Sequence, residues 1–179
     1  PNHVHKLLRQ ASKVVFCFDG DAAGRKAAWR ALEASLEHLS DDRSVGFLFL
    51  PPEHDPDSFV RDEGDVAFLR MAAHPTTLTE FLLREISAGL DPQRSAEDRA
   101  HLVHTAKPYL QKLAAPVLRV QLTKAVAKAA DMTQAEVEAE CGIKPPTRGR
   151  PAPPRPRHRT VAMTLEHALL EPVLYMPER

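Results

Sequence analysis

An α/β unit followed by an all-α unit, the second ending in a Pro/Arg-rich segment, is the architecture this sequence predicts. Three observations predict it. Two short runs, "VVFCF" at 14–18 and "VGFLFL" at 45–50, are apolar throughout and are separated by a stretch of helical periodicity. From residue 77 to residue 142 only helical periodicity appears, punctuated by cap signals. After that, Pro and Arg dominate and acidic residues vanish up to residue 160.

Each element follows in turn. Val4 to Arg9 has the pattern of a helix end. Val14 to Phe18 has the length and the β-branched and aromatic content of a buried strand. A helix is expected from Ala23 to about Leu39, with Ala28, Ala31, Leu32, Ser35, Leu36 and Leu39 on one buried face. Ser40-Asp41-Asp42 is a turn, and Val45 to Leu50 is a second strand stopped by Pro51-Pro52. A strand, a helix and a strand, with both strands wholly apolar, imply a parallel pair joined by a right-handed crossover. Thr77 with Glu80 reads as a capping box. Ser95 opens a helix carrying Leu102, Val103, Ala106, Leu110 and Leu113, which Pro108 should kink or split. Pro116 suits the first turn of the next helix, which should bury Leu118, Leu122, Ala125, Val126 and Ala129. Thr133 with Glu136 makes another capping box, and Gly142 closes that helix.

The chain of 179 residues carries 24 Lys plus Arg and 24 Asp plus Glu, so its net charge names no partner. Its two cysteines, Cys17 and Cys141, form no CxxC pair, which argues against a disulfide scaffold or a zinc ribbon. Cys17 reads as a small buried hydrophobe. No run approaches the roughly 20 apolar residues of a membrane span, and no signal peptide precedes the fold. A cytoplasmic chain without membrane contact is therefore expected. It starts at Pro1 without a Met and is read as a piece of something longer. Residues 143–160 cannot bury enough apolar area to offset ordering entropy, so they read as a tether, with nucleic-acid contact through arginine the sharper alternative.

The chemistry concentrates where the first apolar run ends. "VVFCFDGD" places Asp19 and Asp21 on one side if the strand continues, with Gly20 allowing close approach of another group. The competing reading makes Asp21 a helix N-cap and Asp19 a turn residue. The second strand also leads into two aspartates at i and i+2, Asp55 and Asp57. Parallel strands end on the same sheet edge, so the four carboxylates should gather there. At about 4 Å and an effective dielectric of about 20, two like charges repel by roughly 4 kcal/mol, a cost that a bound cation removes. All-oxygen donors favour Mg²⁺ or Mn²⁺ over zinc or copper. Arg25 and Lys26 fall in the first helical turn, where cations oppose the helix dipole by about 0.3–1 kcal/mol each. A phosphate would reverse that sign; Lys26 is read as facing solvent.

"FDGDAAGRKAAWRALE" followed by "FLFLPPEHDPDSFVRDEG" resembles the Toprim domain of bacterial DnaG-type DNA primases, from Pro1 to about Gly142. The resemblance implies that residues 1–75 are the C-terminal part of the catalytic Toprim subdomain and that 76–142 are its helical bundle subdomain. It implies that 143–160 are a basic linker and 161–179 the start of a truncated helicase-binding domain. It further implies DNA-templated synthesis of short RNA primers by Mg²⁺- or Mn²⁺-dependent nucleotidyl transfer. Asp19 and Asp21 would be catalytic metal ligands, Asp55 and Asp57 the second acidic pair, and Gly24 and Arg25 would face phosphate. Single-stranded DNA template, ribonucleoside triphosphates and a replicative helicase, reached through the missing C-terminal domain, are the partners implied. The family's earlier acidic strand and its zinc-binding N-terminal domain, the place for zinc, have no counterpart here, so the chain alone is expected to be inactive. His54 stands in a turn that the family often fills with a small or acidic residue.

Other readings stay weaker. A topoisomerase or nuclease of the Toprim type would need, for the former, a tyrosine nucleophile, and only Tyr109 and Tyr175 exist. A phosphohydrolase with Asp19 as nucleophile expects Thr or Val soon after the second Asp, where Ala22-Ala23 stands. A non-catalytic acidic-edge module would not need Asp55 and Asp57. His3/His5 and His101/His104 have metal-like spacings but read as solvent-facing helix residues.

Overall fold

The computed structural model describes residues 2–143, all within the unit Pro1–Pro145. Residues expected to form most of the linker, and 161–179, lie outside the described residues. The element order is α1 (Asn2–Gln10), β1 (Lys13–Phe18), α2 (Ala22–Leu36), β2 (Ser44–Phe49), α3 (Pro56–Glu63), α4 (Asp65–Ala73), β3 (Thr76–Thr77), α5 (Leu78–Ile86), α6 (Ala96–Lys112), α7 (Pro116–Ala129) and α8 (Gln134–Cys141).

β1 and β2 pair in parallel with Val14 opposite Val45 and Phe18 opposite Phe49, as the two apolar runs require. The sheet is mixed, because Thr76 and Thr77 pair antiparallel to Phe47 and Gly46. That two-residue strand is absent from the sequence expectation; two residues are too short to show a period. α2 buries Ala28, Leu32, Ser35 and Leu36 as its spacing predicts. Cys17 is half-buried rather than buried, because β1 lies at one side of the sheet among the described residues.

The helices after β3 share their core with the sheet. Phe81 of α5 is 1% exposed and packs on Phe47 and Phe49, with ring centroids at 4.8 and 5.3 Å. Trp29 of α2 meets Phe81 edge-on at 6.2 Å and Tyr109 of α6 at 5.2 Å. Both capping boxes read from sequence form: Thr77 with Glu80 opens α5, and Thr133 with Glu136 opens α8. Gly142 ends α8 at φ +65°. α7 starts at Pro116 and buries Leu122 and Val126, whereas Leu118, Ala125 and Ala129 are only half-buried.

Of the kink or split expected at Pro108, the split does not occur: α6 runs unbroken from Ala96 to Lys112. The carbonyl that Pro108 leaves without a helical donor belongs to His104, an exposed residue where water can serve, while Leu102, Val103, Ala106 and Leu110 anchor both sides. The N-terminus of α7 has no side-chain cap of its own. Asp41, from the turn before β2, supplies one: its carboxylate accepts from the Val117 and Leu118 N–H groups at 3.1 and 2.9 Å.

Candidate active site at the carboxyl end of the parallel pair

The ladder between β1 and β2 runs one step beyond the strands, with the Leu50 N–H donating to the Phe18 carbonyl at 2.9 Å. The two chain segments that leave the sheet, Asp19-Gly20-Asp21 and Pro51-Pro52, are therefore pressed together. A Cβ on Gly20 would lie 2.1 Å from the Leu50 carbonyl oxygen and 3.2 Å from the Pro52 nitrogen. A Cβ on Gly24 would lie 2.0 Å from the Asp19 carbonyl oxygen. No side chain fits at either position, so both glycines are steric requirements of the turn that displays Asp19 and Asp21.

Asp21 is the N-cap of α2. Its backbone is extended (φ −89°, ψ 179°) and its Oδ1 accepts from the Gly24 N–H at 2.6 Å. Capping engages one carboxylate oxygen and leaves the other for a second partner, so the capping and ligand readings of Asp21 are compatible. Asp19 is exposed, and among the described residues its carboxylate takes no hydrogen bond. Its charge acts on Cys17, whose thiol is pushed up by burial first and by Asp19 second.

The second aspartate pair does not sit on a strand. β2 ends at Phe49, and Asp55 is the N-cap of α3. Asp55 Oδ1 accepts from the Ser58 N–H at 2.8 Å, while the Asp55 N–H donates to Ser58 Oγ at 3.0 Å. The Ser58 N–H and then its hydroxyl hold the Asp55 carboxyl below its ordinary range. Asp57 lies in the first turn of α3, and its carboxylate pairs with Arg61 four residues on. The i, i+2 reading of Asp55 and Asp57 fails because Pro56 at the first helical position fixes a helix start there. The signal was present as Asp-Pro-x-Ser, a reciprocal cap with serine where Glu is commoner. His54 supports this start: its ring meets Phe59 edge-on at 5.6 Å, and Nδ1 lies 3.8 Å from Asp62 Oδ2.

Arg25 continues α2 just past its first turn, its N–H donating to the Asp21 carbonyl at 3.1 Å. With Lys26, Trp29, Arg30, Glu33 and Glu85 it lines a groove of about 500 Å³. Tyr109 stays protonated, since burial and then the charge of Glu33 push its phenol up. His3, His5, His101 and His104 are exposed.

The donors suit a hard cation, because Asp19, one oxygen of Asp21 and one of Asp55 are solvent-facing carboxylate oxygens. Among the described residues, no three His, Cys, Asp or Glu side chains gather about one point. The acidic edge is thus present as two separate caps, one at the start of α2 and one at the start of α3.

A parallel pair with aspartates in the turn leaving its first strand, followed by a helical layer, defines a Toprim-class unit, and residues 1–48 match the family model described as "Toprim domain". Residues 79–135 match the one described as "DnaB-helicase binding domain of primase". A DNA primase of Neisseria meningitidis serogroup B is 37% identical over 182 residues, covering 98% of this chain and 31% of the relative. A DNA primase domain from Pseudomonas aeruginosa superposes with a TM-score of 0.73 at 38% identity, covering 78% of this chain and 44% of that one. A DnaG primase catalytic domain solved bound to single-stranded DNA gives 0.72 at 33% identity, with 75% and 43% covered. The chain belongs to the DnaG-type DNA primase family and spans under a third of the length of that curated relative.

Proposed function

We propose that this chain carries the acidic edge at which a DNA primase joins ribonucleoside triphosphates into short RNA primers on a single-stranded DNA template. The observation that carries the reading is the placement of Asp19 and Asp21 in a turn that Gly20 and Gly24 lock onto the end of β2. Asp19 and the free oxygen of Asp21 would hold Mg²⁺ or Mn²⁺, and Asp55 and Asp57 at the start of α3 would supply the second acidic pair. The cation, when bound, supplies charge neutralisation at the triphosphate and at the attacking 3′-oxygen. Arg25 faces phosphate beside the N-terminus of α2, where the helix dipole also favours an anion, and Gly24 keeps that approach free of a side chain. What the protein contributes is fixed positions for these charges before substrate arrives.

Residues 1–75 and 76–142 serve on this reading as the end of the Toprim subdomain and its helical layer. The replicative helicase is the proposed protein partner, supported by the description of the model matched at 79–135. Binding of Mn²⁺ to residues 1–179, followed by paramagnetic resonance, tests the site. Asp19→Ala and Asp21→Ala should each weaken it by about tenfold or more, whereas Asp91→Ala should not. Equal affinity in all four proteins would remove the metal from the acidic edge.

A further inference from the structure

α4 is an apolar helix, "DVAFLRMAA", yet none of its residues is buried. Ala67, Phe68, Met71 and Ala72 are half-buried, and Phe68 meets Phe59 of α3 at 6.4 Å. The opposite side carries Val66 (65% exposed), Leu69 (64% exposed) and Ala73, an i, i+3, i+7 stripe of the kind that ordinarily packs against a neighbour. Among the described residues nothing covers it. Two large exposed aliphatics in register on one helix differ from the scattered apolar residues that any surface shows.

The charge of the segment that carries the stripe narrows what would cover it. Between residues 53 and 73 stand six carboxylates, at Glu53, Asp55, Asp57, Asp62, Glu63 and Asp65, against two arginines, at positions 61 and 70. One of those arginines, Arg61, is already paired with Asp57. A second copy of the chain would bring the same acidic segment against itself, and an anionic nucleic acid would be repelled. A cationic partner gains from the field and from the apolar stripe together.

We propose that the outer face of α4 docks a cationic amphipathic helix of a partner protein, with Val66 and Leu69 as its apolar anchors and the acidic residues of the α3–α4 segment as its rim. The geometry is helix against helix face, in which anchors at i, i+3 and i+7 carry the affinity and flanking charges set partner choice and on-rate. The anchors are independent of the metal reading, and without Asp55 and Asp57 the rim still carries Glu53, Asp62, Glu63 and Asp65.

The test uses residues 1–179 and two labelled synthetic amphipathic helical peptides, one of leucine and lysine and one of leucine and glutamate, in fluorescence anisotropy. The lysine peptide should bind saturably and the glutamate peptide should not. Val66→Ser/Leu69→Ser should weaken the lysine peptide by about tenfold or more, with the circular dichroism spectrum and melting temperature unchanged. Arg70→Glu should tighten it, since it removes a cation beside the stripe. Equal binding by the wild type and the double serine variant would show attraction to the aspartates alone and overturn the proposal. Absence of saturable binding would overturn it too. So would a concentration-dependent dimer that the serine variant abolishes, because the face would then belong to a second copy.

Discussion

Gly24→Ala is the most informative single perturbation of the turn. In a helix, alanine is ordinarily favoured over glycine by about 1 kcal/mol, and Gly24 lies in the first turn of α2 with Asp21 as N-cap. Propensity alone therefore predicts stabilisation. Sterics predict the reverse: the new Cβ would sit 2.0 Å from the Asp19 carbonyl oxygen, about 1 Å inside the closest approach that real Cβ atoms make. The obstructing atom is backbone, which cannot swing aside as a side chain can. Overpacking costs about 1–3 kcal/mol, and the backbone case belongs at the upper end, which leaves a net loss of about 2 kcal/mol after the propensity gain. For a chain of this size that lowers the melting temperature by about 4–8 °C. The displaced carbonyl is that of Asp19, so Mn²⁺ affinity should fall with stability. Thermal melts by circular dichroism, with Gly89→Ala beside it, separate the causes. Gly89 has φ +79° with open space around it, so alanine there meets backbone strain alone and should leave Mn²⁺ binding intact. A Gly24→Ala protein as stable as the wild type, or more so, would refute the reasoning and show the Asp19 turn to be soft.

Three further outcomes follow from other parts of the fold. Asp41→Ala removes the acceptor for the Val117 and Leu118 N–H groups and should cost about 0.5–2 kcal/mol in urea unfolding; no loss would mean that water caps α7 equally well. Phe81→Ala, at the contact between α5 and β2, should cost about 3–5 kcal/mol, and a loss below about 1 kcal/mol would show that sheet and helices do not share a core. The carboxyls of Asp55, Glu80 and Glu136 are each held low by hydrogen bonds within their caps. Groups whose folded pKa is depressed contribute stability above their unfolded value, about 4, and lose it as pH falls through the folded value. The melting temperature should therefore drop on acidification below about pH 4, less so in Thr133→Ala, which lacks one of the bonds to Glu136; a flat profile there would count against the caps.

The strands, the crossover helix and most helix starts were legible because each has a local cause. The apolar runs at 14–18 and 45–50 pair as parallel strands, and Thr77 and Thr133 cap as their sequences imply. Asp21 could be read both as a cap and as a ligand, and its one engaged oxygen leaves both roles open. α3 and α4 were not legible: Asp55-Pro56-Asp57-Ser58, the start of α3, reads equally as an acidic pair, and α4 follows Gly64 with no side-chain cap to mark its start. Close approach of another group at Gly20 was legible, but which group was not, since the atoms that crowd it come from Leu50 and Pro52, about thirty residues on. At Pro108 the split half of the expectation fails, because tertiary packing on both sides of it outweighs one lost hydrogen bond.

The central claim is that Asp19 holds a catalytic cation. Primer yield and melting temperature, measured together with and without Mg²⁺ for the intact parent protein and its Asp19→Ala variant, address it most directly. The account predicts that the variant makes no primers, melts at about the wild-type temperature without metal because the exposed Asp19 carboxylate takes no hydrogen bond among the described residues, and loses the Mg²⁺-dependent rise in melting temperature. Retained primer synthesis together with a clear drop in metal-free melting temperature would contradict it and assign Asp19 a structural role in the turn.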